Sequence, residues 1–125
     1  MPRKTPALNA IIRIRLRQAK HMNTFQSISA AAAQALLAQP GTQLVDIRDE
    51  YAFGEGHIER AQRIDNGNVG AFIAGADKNT PLIVCCYHGI SSQSAAQFFI
   101  EQGFSEVYSL SGGFEGWKNE FPFVR

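Results

Sequence analysis

A chain of 125 residues, 45% of them apolar, suits one domain with a true hydrophobic core, and no apolar run approaches the length of a transmembrane helix. The net charge of +1 hides a split: residues 1–21 carry Arg3, Lys4, Arg13, Arg15, Arg17 and Lys20 and no acid, while the rest carries six basic residues and all 11 acids, a formal −5. An acidic main domain excludes the basic surface of a nucleic-acid binder.

In chain order, residues 1–21 read as a basic extension outside the domain, either disordered or the product of an upstream start site. Met22 stands where the domain of residues 22–125 would begin. Ile11, Ile12, Ile14 and Leu16 are interrupted by arginines, which argues against a secretory signal. An amphipathic arm for an anionic surface and an organelle transit peptide are the other readings of this stretch. Ser29 is placed to cap a helix over 30–38, which Pro40-Gly41 ends. Residues 43–48 (Gln-Leu-Val-Asp-Ile-Arg) read as a strand. Asp46 and Arg48 at its end form either a structural ion pair or a support for a site. Asp49 caps a short helix that runs to Gly54. His57 has no local carboxylate partner and is read as a structural histidine bonded to backbone. Residues 61–64 form a brief strand, and 69–76 a short helix packing Phe72 and Ile73.

The chemistry centres on residues 81–92. Leu82 to Cys85 is a short apolar run bounded by Pro81 and Gly89, as expected of a buried parallel strand. A helix follows over 92–102, with Ala95, Phe98, Phe99 and Gln102 at helical spacing and Gly103 closing it. Cys86 therefore stands at the carboxyl end of a strand on a tight loop that opens a helix, where open α/β sheets bind ligands. A thiolate is the nucleophilic form of cysteine, and unpaired N–H groups at a helix start stabilise it. A loop curled from Tyr87 to Ser92 makes an anion cradle around the sulfur, with hydroxyls from Ser91 and Ser92 and no carboxylate. A phosphatase loop of similar shape would end in an arginine able to clamp phosphate. Here the sixth residue after Cys86 is Ser92, and the nearest arginines are Arg63 and Arg125.

The two cysteines, Cys85 and Cys86, are adjacent, so a bond between them would be strained and no disulfide framework exists; this suits a reducing, cytoplasmic compartment. Strand alternation sends them to opposite faces, which makes Cys85 a core residue. His21, His57 and His88 are scattered and show no metal-ligand spacing. The chain closes with a strand over 107–110, a turn at Ser111-Gly112-Gly113 and a helix over 114–120. The Phe114, Trp117 and Phe121 stripe of that helix belongs to the core. Alternating strands and helices make an α/β domain with a mainly parallel sheet.

Four stretches together resemble the rhodanese family, in its single-domain, GlpE-type thiosulfate sulfurtransferases. They are Val45-Asp46-Ile47-Arg48-Asp49; Phe53-Gly54-Glu55-Gly56-His57-Ile58 with Ala61 and Ile64; the loop Cys86-Tyr87-His88-Gly89-Ile90-Ser91-Ser92; and Gly112-Gly113-Phe114-Glu115-Gly116-Trp117. The resemblance covers about residues 24–122. It implies a three-layer fold with helices on both faces of the sheet. It implies an enzyme of the thiosulfate:cyanide sulfurtransferase class, without cofactor or metal. Cys86 would take sulfane sulfur from thiosulfate as a persulfide, held by the substrate-binding loop Tyr87, His88, Gly89, Ile90, Ser91 and Ser92. Cyanide, a small thiol or a thioredoxin-like dithiol would collect the sulfur. The alternative is a persulfide carrier or binding module loaded by a protein donor. Ile90 departs from the small polar residue frequent in such loops and biases the acceptor toward apolar character. Cys85 beside the nucleophile is also unusual.

Overall fold

The computed structural model describes residues 22–125, so the basic stretch 1–21 lies outside the described residues. Five strands form one sheet: β1 (Gln26–Ile28), β2 (Gln43–Asp46), β3 (Gln62–Arg63), β4 (Leu82–Cys85) and β5 (Val107–Leu110). Their order is β1-β5-β4-β2-β3, and every pairing is parallel. Among the described residues four helices connect them, α1 (Ala30–Leu37), α2 (Glu50–Glu55), α3 (Val69–Gly75) and α4 (Ser91–Glu101), and α5 (Gly113–Trp117) follows β5. None of the described helices is long and apolar enough to cross a membrane.

The caps read from the sequence are present. Ser29 Oγ accepts from the Ala32 N–H at 3.1 Å, and Asp49 Oδ1 from the Ala52 N–H at 2.8 Å, each satisfying an orphan donor of a first turn. β4 is buried at all four positions, as a central parallel strand must be. Its alternating side chains divide between two cores. Leu82 and Val84 join Val45, Ala96, Phe99, Phe104 and Val107 beneath α3 and α4. Ile83 and Cys85 join Leu44, Ala33, Leu110, Phe114 and Trp117 beneath α1 and α5. The result is three layers, with helices on both faces.

Three elements differ most from the sequence expectation. Strand β1 is unanticipated: Gln26 and Ser27 are exposed and only Ile28 is half-buried, so no apolar alternation marks it. Long-range pairing to β5 defines it, with Ile28 opposite Leu110. The last helix ends at Trp117 rather than Glu120. Its continuation tightens into turns, with the Glu120 N–H on Trp117 O, and Trp117 Nε1 donates to Pro122 O at 2.9 Å. The helix after β4 starts at Ser91, one residue earlier than the spacing indicates.

Sheet order fixes where a site forms. From β2 the chain moves outward to β3, and from β4 it moves toward the opposite edge through β5. The carboxyl ends of adjacent β2 and β4 therefore flank a topological switch point, the crevice favoured for ligands in open α/β sheets.

Candidate active site

Cys86 is the first residue beyond β4, at that crevice, and is 2% exposed. Alternation turns its side chain toward α4, opposite to Cys85. The Gly89 and Ser92 N–H groups each donate to Cys86 Sγ at 3.2 Å, and Ser92 Oγ lies at the same distance. Ile90, the residue before α4, provides no side-chain cap. The sulfur takes the position of a capping oxygen, accepting from the first turn of an eleven-residue helix. Burial pushes the thiol up, but the Ser92 hydroxyl and the Ser92, Gly89 and His88 N–H groups together outweigh it. The Cys86 thiol accordingly lies below the ordinary cysteine value. At Cys85, burial comes first and the Asp46 charge second, and the thiol is held well above its ordinary value.

The other loop positions divide by exposure. Gly89 is buried with φ +84°, and its carbonyl accepts from Gln93 Nε2 at 2.8 Å. Ser92 is fully buried. Tyr87, His88, Ile90 and Ser91 are exposed and form the rim, with Ile90 74% exposed. Of the two serines read as hydroxyl donors, only Ser92 is among the partners of Sγ.

The last helix holds the loop from behind. The Phe114 N–H donates to Cys86 O at 2.8 Å and the Glu115 N–H to Tyr87 O at 3.1 Å. This close approach requires glycine at 113. Gly113 has φ +58°, and a Cβ there would lie 2.5 Å from the Tyr87 carbonyl and 2.6 Å from Cys86 O. We expect Gly113→Ala to lose about 3 kcal/mol or more, combining left-handed strain with a backbone overlap. A fall in the urea midpoint together with slower Cys86 alkylation in the folded protein would report it; an unchanged alkylation rate would show that the loop does not depend on this contact.

A second anchor joins the loop to the end of β2. The Tyr87 hydroxyl donates to the Asp49 carboxylate, and the Asp49 N–H donates to Tyr87 Oη at 3.2 Å. The hydroxyl holds the Asp49 carboxyl below its ordinary range, and the carboxylate in turn raises the phenol. Beneath them the Asp46–Arg48 pair is buried, at 0% and 3% exposure. Arg48 Nε lies 3.0 and 3.1 Å from the two Asp46 oxygens, and Nη2 lies 2.7 Å from Oδ2. Nη2 also donates to Gly56 O at 2.7 Å. The guanidinium carbon sits 4.2 Å from the Phe114 ring centroid and 6.0 Å from that of Tyr87. Burial alone would lower the Arg48 pKa, and hydrogen bonding with Asp46 turns the shift upward. The pair is thus an ion pair of the fold, and its guanidinium lies against the Phe114 and Tyr87 rings.

His57 is structural, as expected. Its Nδ1 lies 2.8 Å from Phe53 O, its ring stacks on Phe53, and its backbone bridges to Val124. Sequence reasoning gave no role to Ser109 on β5, whose Oγ lies 2.7 Å from Ser92 Oγ. A serine in an otherwise apolar buried strand was the available signal.

Known proteins provide a frame for this geometry. The family model described as a rhodanese-like domain matches residues 29–120. A thiosulfate sulfurtransferase GlpE of Pseudomonas aeruginosa (strain LESB58) is 55% identical over 100 residues, spanning 80% of this chain and 90% of the relative. The protein of the same description from Pseudomonas fluorescens (strain SBW25) is 52% identical over 101 residues, spanning 81% and 92%. Among solved structures, a rhodanese-related protein of Thermoplasma volcanium superposes with a TM-score of 0.68 at 23% identity, over 80% of this chain and 98% of that one.

Proposed function

The chain belongs to the rhodanese family, and from that premise we propose that it is a thiosulfate sulfurtransferase working through a persulfide on Cys86. The observation that carries this reading is the sulfur cradle: Sγ within 3.2 Å of two backbone N–H groups and the Ser92 hydroxyl, in a thiol lowered below its ordinary value.

The Cys86 thiolate attacks the outer sulfur of thiosulfate. A new S–S bond forms, the bond between the two thiosulfate sulfurs breaks, and sulfite leaves with that electron pair. The persulfide anion occupies the cradle, where preorganised N–H donors favour it as they favour the thiolate. An acceptor nucleophile then takes the terminal sulfur and restores the thiolate, which completes a double-displacement cycle. With cyanide the product is thiocyanate; with a thiol it is a persulfide, and in a dithiol the second thiol can attack that persulfide to form a disulfide, expelling the terminal sulfur as hydrogen sulfide. Ile90 on the rim adds apolar surface where an acceptor approaches. The loop has no arginine at Ser92, and the guanidinium of Arg48 is committed to Asp46 and Gly56 O, both of which disfavour phosphate-ester chemistry.

The test is the intact mass of the reduced protein after thiosulfate, then after cyanide. We expect the gain of one sulfur atom, mapped by peptide digestion to Cys86, and its removal by cyanide. Absence of any gain on folded protein would sink the reading in favour of a carrier loaded by a protein donor.

A further inference from the structure

Ser109 lies outside the loop, on β5, and its backbone pairs with Val84 one step before Cys85. It is 1% exposed, and Ser92, which it touches, is 0% exposed. Its neighbours facing the same core, Val107 and Val84, are apolar. A hydroxyl in such a place must find its partner inside the protein. That partner is Ser92 Oγ at 2.7 Å, which in turn lies 3.2 Å from Cys86 Sγ. Three side chains from three elements thus form one dry chain: β5, the start of α4, and the end of β4.

From this chain we propose that Ser109 is a positioning residue for the Cys86 thiolate, acting through Ser92. The argument is a proton count. A serine hydroxyl has one hydrogen. When Cys86 is a thiolate, Ser92 must donate that hydrogen to the sulfur, and its oxygen then accepts from Ser109. When Cys86 is a thiol, its S–H points to Ser92 Oγ, and Ser92 donates to Ser109 instead. Deprotonation therefore reverses both hydroxyls. In the thiolate state each donation strengthens the next, so Ser109 reinforces the hydrogen bond that Ser92 makes to sulfur. With both serines buried, water has no access to replace the missing donor. Of the charged and titratable groups around the loop, Asp46, Arg48, Cys85, Asp49, Tyr87, His88 and Glu115, none hydrogen-bonds the Ser109 side chain, whose partner is Ser92 Oγ. The proposal rests on Cys86 being the reactive thiol, yet it concerns ionisation and not sulfur transfer.

The test is the pH midpoint of Cys86 alkylation by iodoacetamide, with Cys86→Ser as the blank that excludes Cys85. Wild type should show a midpoint below that of an ordinary cysteine. Ser109→Ala should raise it by about half a pH unit, a roughly three-fold slower alkylation on the acid side. The near-isosteric pair Ser109→Thr and Ser109→Val separates hydroxyl from packing: threonine should keep the wild-type midpoint and valine should shift it as alanine does. In a Ser92→Ala background, Ser109→Ala should shift nothing further. An unmoved midpoint in Ser109→Ala, equal midpoints for threonine and valine, or an undiminished shift in the Ser92→Ala background would each overturn the proposal. A missing persulfide in the mass experiment with these midpoint shifts intact would instead reject the sulfurtransferase reading alone.

Discussion

Replacing Cys86 with serine should abolish sulfur transfer, with a loss of at least about 1,000-fold, whereas Cys85→Ser should retain most of it. A serine hydroxyl at 86 has no accessible anion at neutral pH and no sulfur with which to form a persulfide, so the covalent step disappears rather than slows. The neighbouring thiol cannot substitute for it. Cys85 faces the core beneath α1 and α5, fully buried, with its ionisation suppressed by burial and by Asp46. A serine at 85 places a hydroxyl in that core at a cost of about 1–3 kcal/mol. Part of it is offset because Cys86 O lies 3.5 Å from Cys85 Sγ and is available as an acceptor. Steady-state thiosulfate-to-cyanide transfer, normalised to folded protein, checks both variants. Equal loss in the two would overturn the separation of roles.

The largest stability effect is expected from Arg48→Ala. This change leaves the Asp46 carboxylate buried at 0% exposure without its partner, and it strips Gly56 O of its donor. Breaking a buried pair from one side costs about 3–5 kcal/mol, a large share of the 5–15 kcal/mol that holds a typical domain together. The joint variant Asp46→Leu with Arg48→Met should recover much of this loss, because no charge is then left uncompensated. Urea unfolding of the single and joint variants decides the matter. A single variant within about 1 kcal/mol of wild type would mean that water reaches Asp46 despite its burial.

What the sequence made legible follows from the range of the forces involved. The Cys86 loop was readable because its chemistry is local: an apolar strand, a cysteine, a glycine permitting φ +84° and a serine opening a helix are contiguous. The caps at Ser29 and Asp49, the core role of Cys85 and the backbone-bound His57 followed from local rules of the same kind. Strand β1 was not readable, because nothing in Gln26-Ser27-Ile28 alternates and its existence depends on a distant strand. The same holds for the partners that tune the loop. Ser109 meets Ser92, Tyr87 meets Asp49, and Gly113 lets the last helix touch the Cys86 carbonyl, all across long stretches of chain. Hydroxyl and carboxylate pairs of this type leave no periodicity in sequence.

The closing pair of the sheet has a consequence for biogenesis. β1, the first strand of the described chain, finds its only sheet neighbour in β5, the last strand, and the Cys86 carbonyl is held by an amide at residue 114. A nascent chain that has emerged only through α4 already carries Cys86, Gly89 and Ser92. It has neither Ser109 behind Ser92 nor the amide that fixes the loop. Full maturation of the thiol therefore waits on translation of the final helix, so that a truncated or stalled product displays the sulfur without its finished surroundings.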